Sequence, residues 1–247
     1  MNVSLYQAAA AMNASAQWQE VIASNLAATS VPGFRKDVVS FSAIEAGMMP
    51  AEGPSGREQF QMPTASTATN FSPGEYRQTG RNTDVAIEGQ GFFEVELPDG
   101  RLGYTRDGEF GLNSSGKLVT KDGYLVMGDG GPFQVDLSNS KPLAVSASGE
   151  VSQGADVKGR FKVVNFNNPQ LLQRAGGYFF GDSPDIQLEP VDKVRLKPGA
   201  LEGANTSPMS EMNSLLTAMR MFETNSRLLQ MQDQHLERVT RELTPTG

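Results

Sequence analysis

The sequence has no cysteine and a single histidine among its 247 residues. Without thiols there are no disulfides, thiolate metal sites or cysteine nucleophiles. His235, in a polar helical stretch near the C-terminus, has no second imidazole with which to share a metal or build a triad. No metal site, no cofactor and no catalytic residue are therefore expected. Positive charge is also scarce: 21 Lys and Arg face 28 Asp and Glu, for a net charge of -7. A nucleic-acid or anionic-membrane partner favours a basic surface, so neither is expected. Long apolar runs are missing as well, since no stretch approaches the roughly 20 apolar residues of a membrane span. The first basic residue is Arg35, and the leading run "LYQAAAAMNASAQW" is broken by Gln7, Asn13 and Gln17. That is not the pattern of a cleavable secretory signal, so the chain is expected to stay in the cytoplasm or to leave it by a route that reads no such signal.

What the sequence does contain is two helical stretches at opposite ends. Over residues 3–28, Leu5, Ala8, Met12, Ile22 and Leu26 fall on a three-and-four spacing, flanked by Trp18 and Val21. Alanine is abundant there and Gly and Pro are absent, so propensity agrees with the pattern. The stripe is interrupted at Ser15 and Gln19. Over residues 209–243, Met212, Leu215, Met219, Phe222, Leu229, Leu236, Val239 and Leu243 form a second stripe, widened by Leu216 and Leu228 and interrupted at Ser226 and Asp233. Asn205-Thr206-Ser207-Pro208 offers capping residues followed by a proline suited to a first turn. Two matched terminal stripes predict a coiled-coil pairing with each other or with neighbouring subunits.

Between the helices the texture changes twice. Residues 31–82 carry Pro32, Pro50, Pro54, Pro63 and Pro73 and runs such as "PTASTATN". They predict an extended linker, with "VVSFSAI" as a candidate short strand. From 83 to 201 apolar and polar residues alternate, punctuated by Asp99-Gly100, Asp107-Gly108, Ser115-Gly116 and Asp122-Gly123, which are hairpin signals. Further strands are predicted at 133–137, 143–146, 160–166 and 192–196. The fold class read from these patterns is α+β: terminal helices over 1–30 and 202–247 paired as a coiled-coil layer around an extended linker, with a central all-β domain.

No constellation for catalysis emerges. Asp84, Glu88, Glu94, Asp99, Asp107 and Glu109 could suggest the paired carboxylates of a glycosidase, but Asp99 and Asp107 each precede Gly in predicted turns. "EGQGFF" lacks the third glycine of a dinucleotide fingerprint, and "GDGGP" lacks the Lys-Ser/Thr of a phosphate loop. Asp129 and Asp136 fit no calcium loop. The chain is thus read as a non-enzyme. The alternatives from other classes are a periplasmic β-rich carbohydrate-active enzyme and a soluble adaptor with a coiled-coil clamp.

Three blocks carry a resemblance. "VIASNLAATSVPGFRKD" resembles the N-terminal motif of the flagellar axial proteins, the rod and hook subunits of the bacterial flagellum. "TDVAIEGQGFFEVELPDGRLGYTRDGEFGLNSSGKLVTKDGYLVMG" is similar to their middle block of strands. "LEGANTSPMSEMNSLLTAMRMFETNSRLLQMQDQ" is similar to their C-terminal block, including the Arg220-x-Phe-Glu223 stretch. Pro32-Gly33-Phe34-Arg35 looks most like proximal-rod members, with distal-rod and then hook-type members next. The resemblance implies a structural subunit of the rod in the periplasm, exported by the flagellar type III apparatus without a cleavable signal peptide. Its partners would be copies of itself and other rod proteins. It also implies that Leu5, Met12, Trp18, Ile22, Leu26, Leu215, Met219, Phe222, Leu229 and Leu236 pack between helices and subunits, and that Asn25, Leu26, Pro32, Gly33 and Phe34 form the junction into the linker. Interrupted stripes are marginal as isolated helices, so both termini are expected to order fully only on assembly.

Overall fold

The computed structural model describes residues 3–50, 57–139, 141–191 and 194–243. The chain is mixed α+β with a β-rich central region, and it divides into two compact units. One holds the chain up to Ala27, Asp37–Asn70 and the chain from Ser207; the other holds Ala28–Lys36 and Phe71–Thr206. The chain therefore passes between units at the turn after the first helix and again just before the last.

The first unit has helix α1 (Val3–Ala27), strands β1 (Asp37–Pro50) and β2 (Arg57–Thr69), and helix α2 (Pro208–Leu243). The expectation of a linker with little regular structure is corrected here. β1 and β2 form a long antiparallel ribbon running from Asp37↔Thr69 to Pro50↔Arg57, with a bulge between Glu45 and Gly47. β1 contains the candidate strand "VVSFSAI", whereas β2 is mostly polar and carries Pro63, features depleted in strands. A two-stranded ribbon is marginal alone, and here α1 lies against both of its strands. The ring of Trp18 meets that of Phe41 edge-on at 5.6 Å, and Gln7 Nε2 donates to the Gln61 carbonyl at 2.9 Å. At the head of α2 the Ser207 hydroxyl accepts from the Ser210 amide at 3.3 Å, and Pro208 is the first helical residue. This is the arrangement the capping residues predict.

The second unit is built from short antiparallel strands. They begin with β3 (Tyr76–Gln78), β4 (Val85–Ile87), β5 (Phe92–Glu96), β6 (Leu102–Thr105), β7 (Gly111–Leu112), β8 (Leu118–Val119) and β9 (Leu125–Gly128). Next come β10 (Gly131–Pro132), β11 (Leu143–Val145), β12 (Glu150–Gln153), β13 (Asp156–Arg160) and β14 (Val163–Phe166). The last are β15 (Gln173–Ala175), β16 (Tyr178–Phe180), β17 (Leu188–Pro190), β18 (Leu196–Pro198) and β19 (Ala200–Glu202). The main sheet runs β15-β16-β6-β5-β9-β8-β7, with β14 on β5 and β17 on β14; β11-β12-β13 form a second sheet. Along β5, Phe93 and Val95 enter a core with Phe110, Phe133 and Phe161, while Phe92 enters a second core with Tyr104, Phe166 and Phe179. That is the two-residue alternation of a strand covered on both faces.

Asp99-Gly100, Ser115-Gly116 and Asp122-Gly123 turn the β5–β6, β7–β8 and β8–β9 hairpins, each with its glycine at positive φ. Asp107-Gly108 does not form such a turn. Gly108 is needed because a Cβ there would lie 1.6 Å from the Val85 carbonyl oxygen. Residues 133–137 are not a strand either. Phe133 and Val135 alternate inward, but their backbone bonds go to Leu118 N and to Gly116 O in the neighbouring loop. Of the predicted strand at 192–196, residues 192 and 193 lie outside the described residues, and the observed strand begins at Leu196.

Candidate functional site

In the first unit α1 and α2 lie side by side, and the contact is made by small and polar residues. Ala14, Ser15, Ile22 and Asn25 are buried on α1, and Glu211 and Ala218 on α2. Ser15 donates to the Ala11 carbonyl at 2.8 Å and accepts from Asn225 Nδ2 at 3.1 Å. Gln19 Nε2 donates to the Ala218 carbonyl at 3.3 Å. So the two residues that interrupt the apolar stripe, Ser15 and Gln19, are points where α1 is tied to α2. A buried Ala at 0% exposure lets the helices approach, and a side-chain amide can then reach a carbonyl of the other helix.

The predicted packing residues divide. Ile22 is buried, while Leu5, Met12, Trp18, Leu26, Leu215, Phe222 and Leu229 are half-buried. Met219 is 48% exposed, and it shares that exposure with Met209, Met212, Leu216, Leu228 and Met231 along α2. Trp18 meets the ribbon at Phe41. The side chain of Leu236 lies outside the described residues.

The junction begins at Asn25. Its carboxamide acts as a second backbone: Oδ1 accepts from the Asp37 amide at 3.0 Å and Nδ2 donates to the Asp37 carbonyl at 2.8 Å. Thr69 Oγ1 donates to the Asp37 carboxylate at 2.7 Å, so the first pair of the ribbon is held where α1 ends. Such a cyclic pair satisfies a strand edge and fixes register.

In the second unit, Val31-Pro32-Gly33-Phe34 forms a turn closed by the Phe34 amide to the Val31 carbonyl at 3.3 Å. Proline in its second position and glycine at φ +66° in its third are the residue requirements of a type II turn. The glycine has a second cause, since a Cβ on Gly33 would sit 2.3 Å from the Arg106 carbonyl carbon. The Gly33 amide donates to the Glu202 carbonyl at 2.7 Å, and the Phe34 carbonyl accepts from the Asn205 amide at 3.2 Å. Asn205 Oδ1 accepts from the Lys36 amide at 2.7 Å, while its Nδ2 donates to the Ser72 carbonyl at 3.0 Å. Two segments remote in sequence, Gly33–Lys36 and the one at Ser72, are thus stitched to the Leu201–Asn205 stretch. Arg174 covers the Phe34 ring at 4.8 Å and donates to the Arg35 carbonyl.

Under this turn lies a buried charge cluster. Glu202, with its side chain fully buried, faces Arg35 Nη2 at 2.7 Å and Arg106 Nη1 at 3.2 Å. It also accepts from the Gly74 amide at 2.9 Å. Arg106 in turn donates to the carbonyls of Gly89 at 2.6 Å and Ile87 at 3.4 Å, and lies over the Phe92 ring. Burial pulls the Arg106 guanidinium down to about 10, with Glu202 opposing that shift and Arg35 adding to it. It remains charged at neutral pH. Taking a carboxylate out of water is costly unless paired and hydrogen-bonded, and here two cations and an amide surround it. The candidate list from the sequence omits Arg35, Arg106, Glu202 and Asn205. The available signal was an acid in "LEGAN" and a base in "PGFRK", each inside a block that was already singled out.

Among the described residues no group of three or more His, Asp or Glu side chains is placed to hold a metal ion, and no helix is long and apolar enough to cross a membrane.

Comparison with known proteins places these segments in context. Residues 86–153 match the family described as "Flagellar hook protein FlgE/F/G D1 domain", and residues 197–242 match "Flagellar basal body rod FlgEFG protein C-terminal". The chain is 32% identical to flagellar basal-body rod protein FlgG of Borreliella burgdorferi, over 94% of its own length and 95% of that protein's. It is 30% identical to flagellar basal-body rod protein FlgF of Caulobacter vibrioides, over 85% of both chains. With FlgF of Escherichia coli it shares 27% identity over 99% of each.

Proposed function

The chain belongs to the flagellar basal-body rod proteins, and from that premise we propose that it is a proximal-rod subunit that polymerises through its terminal helices. As a rod protein it is a structural subunit of the bacterial flagellum. In the proposed role the subunit transmits motor torque toward the hook and filament and performs no catalysis. It reaches the periplasm through the flagellar type III apparatus, without a cleaved signal, and assembles there with copies of itself and other rod proteins. A distal-rod position is the second reading, carried by the similar identity to the FlgG relative.

The observation that carries the polymerisation reading is the composition of the two units. Among the described residues, the apolar side chains buried in the helix unit are Ala14, Ile22 and Ala218, whereas the β-rich unit has two aromatic cores. Large apolar groups on α2 stay open in the single chain, with Met212, Leu216, Met219 and Met231 each about half exposed. Burying a large side chain contributes roughly 1.5–3 kcal/mol, so neighbouring subunits covering this stripe would supply the burial that one chain lacks. On the domain bounds, we assign the unit of α1, the β1–β2 ribbon and α2 to helix packing and the unit of Ala28–Lys36 and Phe71–Thr206 to the β domain, so that the segment 31–82 read as a linker is shared between the two.

Deleting residues 1–30 tests the role. The truncated protein is expected to be absent from purified basal bodies and its cells non-motile. Normal swimming with the deletion as sole copy would contradict it.

A further inference from the structure

Five of the chain's 11 methionines, Met209, Met212, Met219, Met221 and Met231, lie on α2, and all five are exposed. Met12, Met62 and Met127, the other methionines with described side chains, are half-buried. Met209, Met212, Leu216 and Met219 follow a three-four-three spacing and so share one face of the helix. A different side meets α1: Glu211 and Ala218 are buried, the Ala218 carbonyl accepts from Gln19, and Asn225 donates to Ser15. Met212 and Met219 follow Glu211 and Ala218 by a single residue, which is about 100° around the helix. The thioethers of Met209, Met212 and Met219 are therefore left to solvent, at 72%, 54% and 48% exposure. With no cysteine in the chain, thioethers are its only oxidisable sulfurs.

We propose that Met209, Met212 and Met219 form a reversible oxidation site that bars an unassembled subunit from the rod. The oxidant is a hydroperoxide such as hydrogen peroxide. The sulfur lone pair forms an S–O bond to one peroxide oxygen, the O–O bond breaks, and the departing oxygen takes up the proton of the transferred one and leaves as water. Sulfur loses two electrons and the peroxide gains them; a methionine sulfoxide reductase restores the thioether. The step acts on assembly and not on the fold of the single chain. Sulfoxidation puts a polar S=O acceptor on a flexible apolar side chain, and burying such a group without a partner is unfavourable. In the single chain these sulfurs already face water, so their oxidation buries no new polar group. The inference rests on the rod reading, in which a neighbouring subunit covers this stripe and would desolvate each sulfoxide. A subunit already in the rod has the same sulfurs covered, so the sensitivity belongs to the interval before assembly.

The site is tested on the full-length protein with limiting hydrogen peroxide, following each methionine by peptide mass spectrometry. Sulfoxide is expected at Met209, Met212 and Met219 severalfold faster than at Met127 of the β-rich unit. The circular-dichroism spectrum should not change, and methionine sulfoxide reductases should reverse the modification. Met127 oxidising as fast as the three, or circular dichroism lost in step with their oxidation, would overturn the site. The consequence is tested with two triple variants, each as sole copy in cells. One carries Met209→Leu, Met212→Leu and Met219→Leu, which keeps the stripe apolar and helix-forming but removes the sulfurs. The other carries Met209→Gln, Met212→Gln and Met219→Gln, which imitates the polarity of the sulfoxide. The leucine variant should enter basal bodies as wild type does, and should keep doing so in cells regrowing flagella under peroxide, where wild-type incorporation falls. The glutamine variant should be depleted from basal bodies severalfold without any peroxide. Wild-type incorporation of the glutamine variant, or a leucine variant as peroxide-sensitive as wild type, would overturn the gating. Absence of the untreated wild-type chain from basal bodies would instead defeat the rod reading and leave the selective oxidation standing.

Discussion

Arg35 Nη2 and Glu202 Oε1 lie 2.7 Å apart, with both side chains at 1% exposure or less. One comes from the turn after the first helix and the other from the last β-strand before the second helix. The pair therefore ties together, inside the β-rich unit, the two places where the chain leaves for its terminal helices.

Removing one partner of such a pair strands a buried charge. Glu202→Gln should destabilise the β-rich unit by about 3–5 kcal/mol, because Arg35 and Arg106 then face each other without a carboxylate. Denaturant unfolding of the full chain measures this. A change below about 1 kcal/mol would mean that water reaches the cluster freely.

Gly33 and Gly80 both have positive φ, at 66° and 72°, but differ in their surroundings. A Cβ on Gly80 would meet nothing within 4 Å, whereas one on Gly33 would overlap the Arg106 backbone. Gly80→Ala should cost only the conformational term of about 1 kcal/mol. Gly33→Ala should cost several times that, and comparison of their unfolding midpoints checks the difference.

Ala218 is fully buried on α2, and Gln19 donates to its carbonyl. Ala218→Leu should push the helices apart at a cost of roughly 1–3 kcal/mol within the helix unit. The variant should remain folded in its β-rich unit and fail to enter the rod, read by the β-sheet circular-dichroism signal and by basal-body composition.

Asp107 gives a pH signature. Its carboxyl, ordinarily near 3.8, is pushed up to about 6, chiefly by burial. Between those values the folded chain holds more protons than the unfolded one, so this group's contribution falls as pH rises through the window. Asp107→Asn keeps an acceptor for the Glu109 amide, now at 2.9 Å. It should flatten stability between about pH 4 and 6 and raise it at pH 7 by roughly 1–3 kcal/mol. Matched unfolding curves of both proteins across that range provide the check.

What could be read from the sequence follows the range of the forces involved. The terminal helices and the hairpins at Asp99-Gly100, Ser115-Gly116 and Asp122-Gly123 are local, written in periodicity and turn chemistry. Asp107-Gly108 carries the same dipeptide for a different reason, the approach of Val85, which no local pattern announces. Of the β1–β2 ribbon only the apolar "VVSFSAI" piece of β1 reads as a strand; the rest was hidden because β2 is mostly polar and contains Pro63, and because α1 completes both strands. Ser15 and Gln19 read as flaws in an apolar stripe until the small residue opposite, Ala218, was in place. The Arg35–Glu202–Arg106 cluster joins three remote segments, and spacing along the chain cannot pair them.

The central claim is that the helix unit completes its order only by assembly. Hydrogen exchange on the purified monomer, followed residue by residue, tests it most directly. The account predicts that amides of residues 83–200 stay protected while those of α1 and α2 exchange rapidly, and that both helices become protected in isolated rods. Helices as protected in the monomer as the β-rich unit would contradict it.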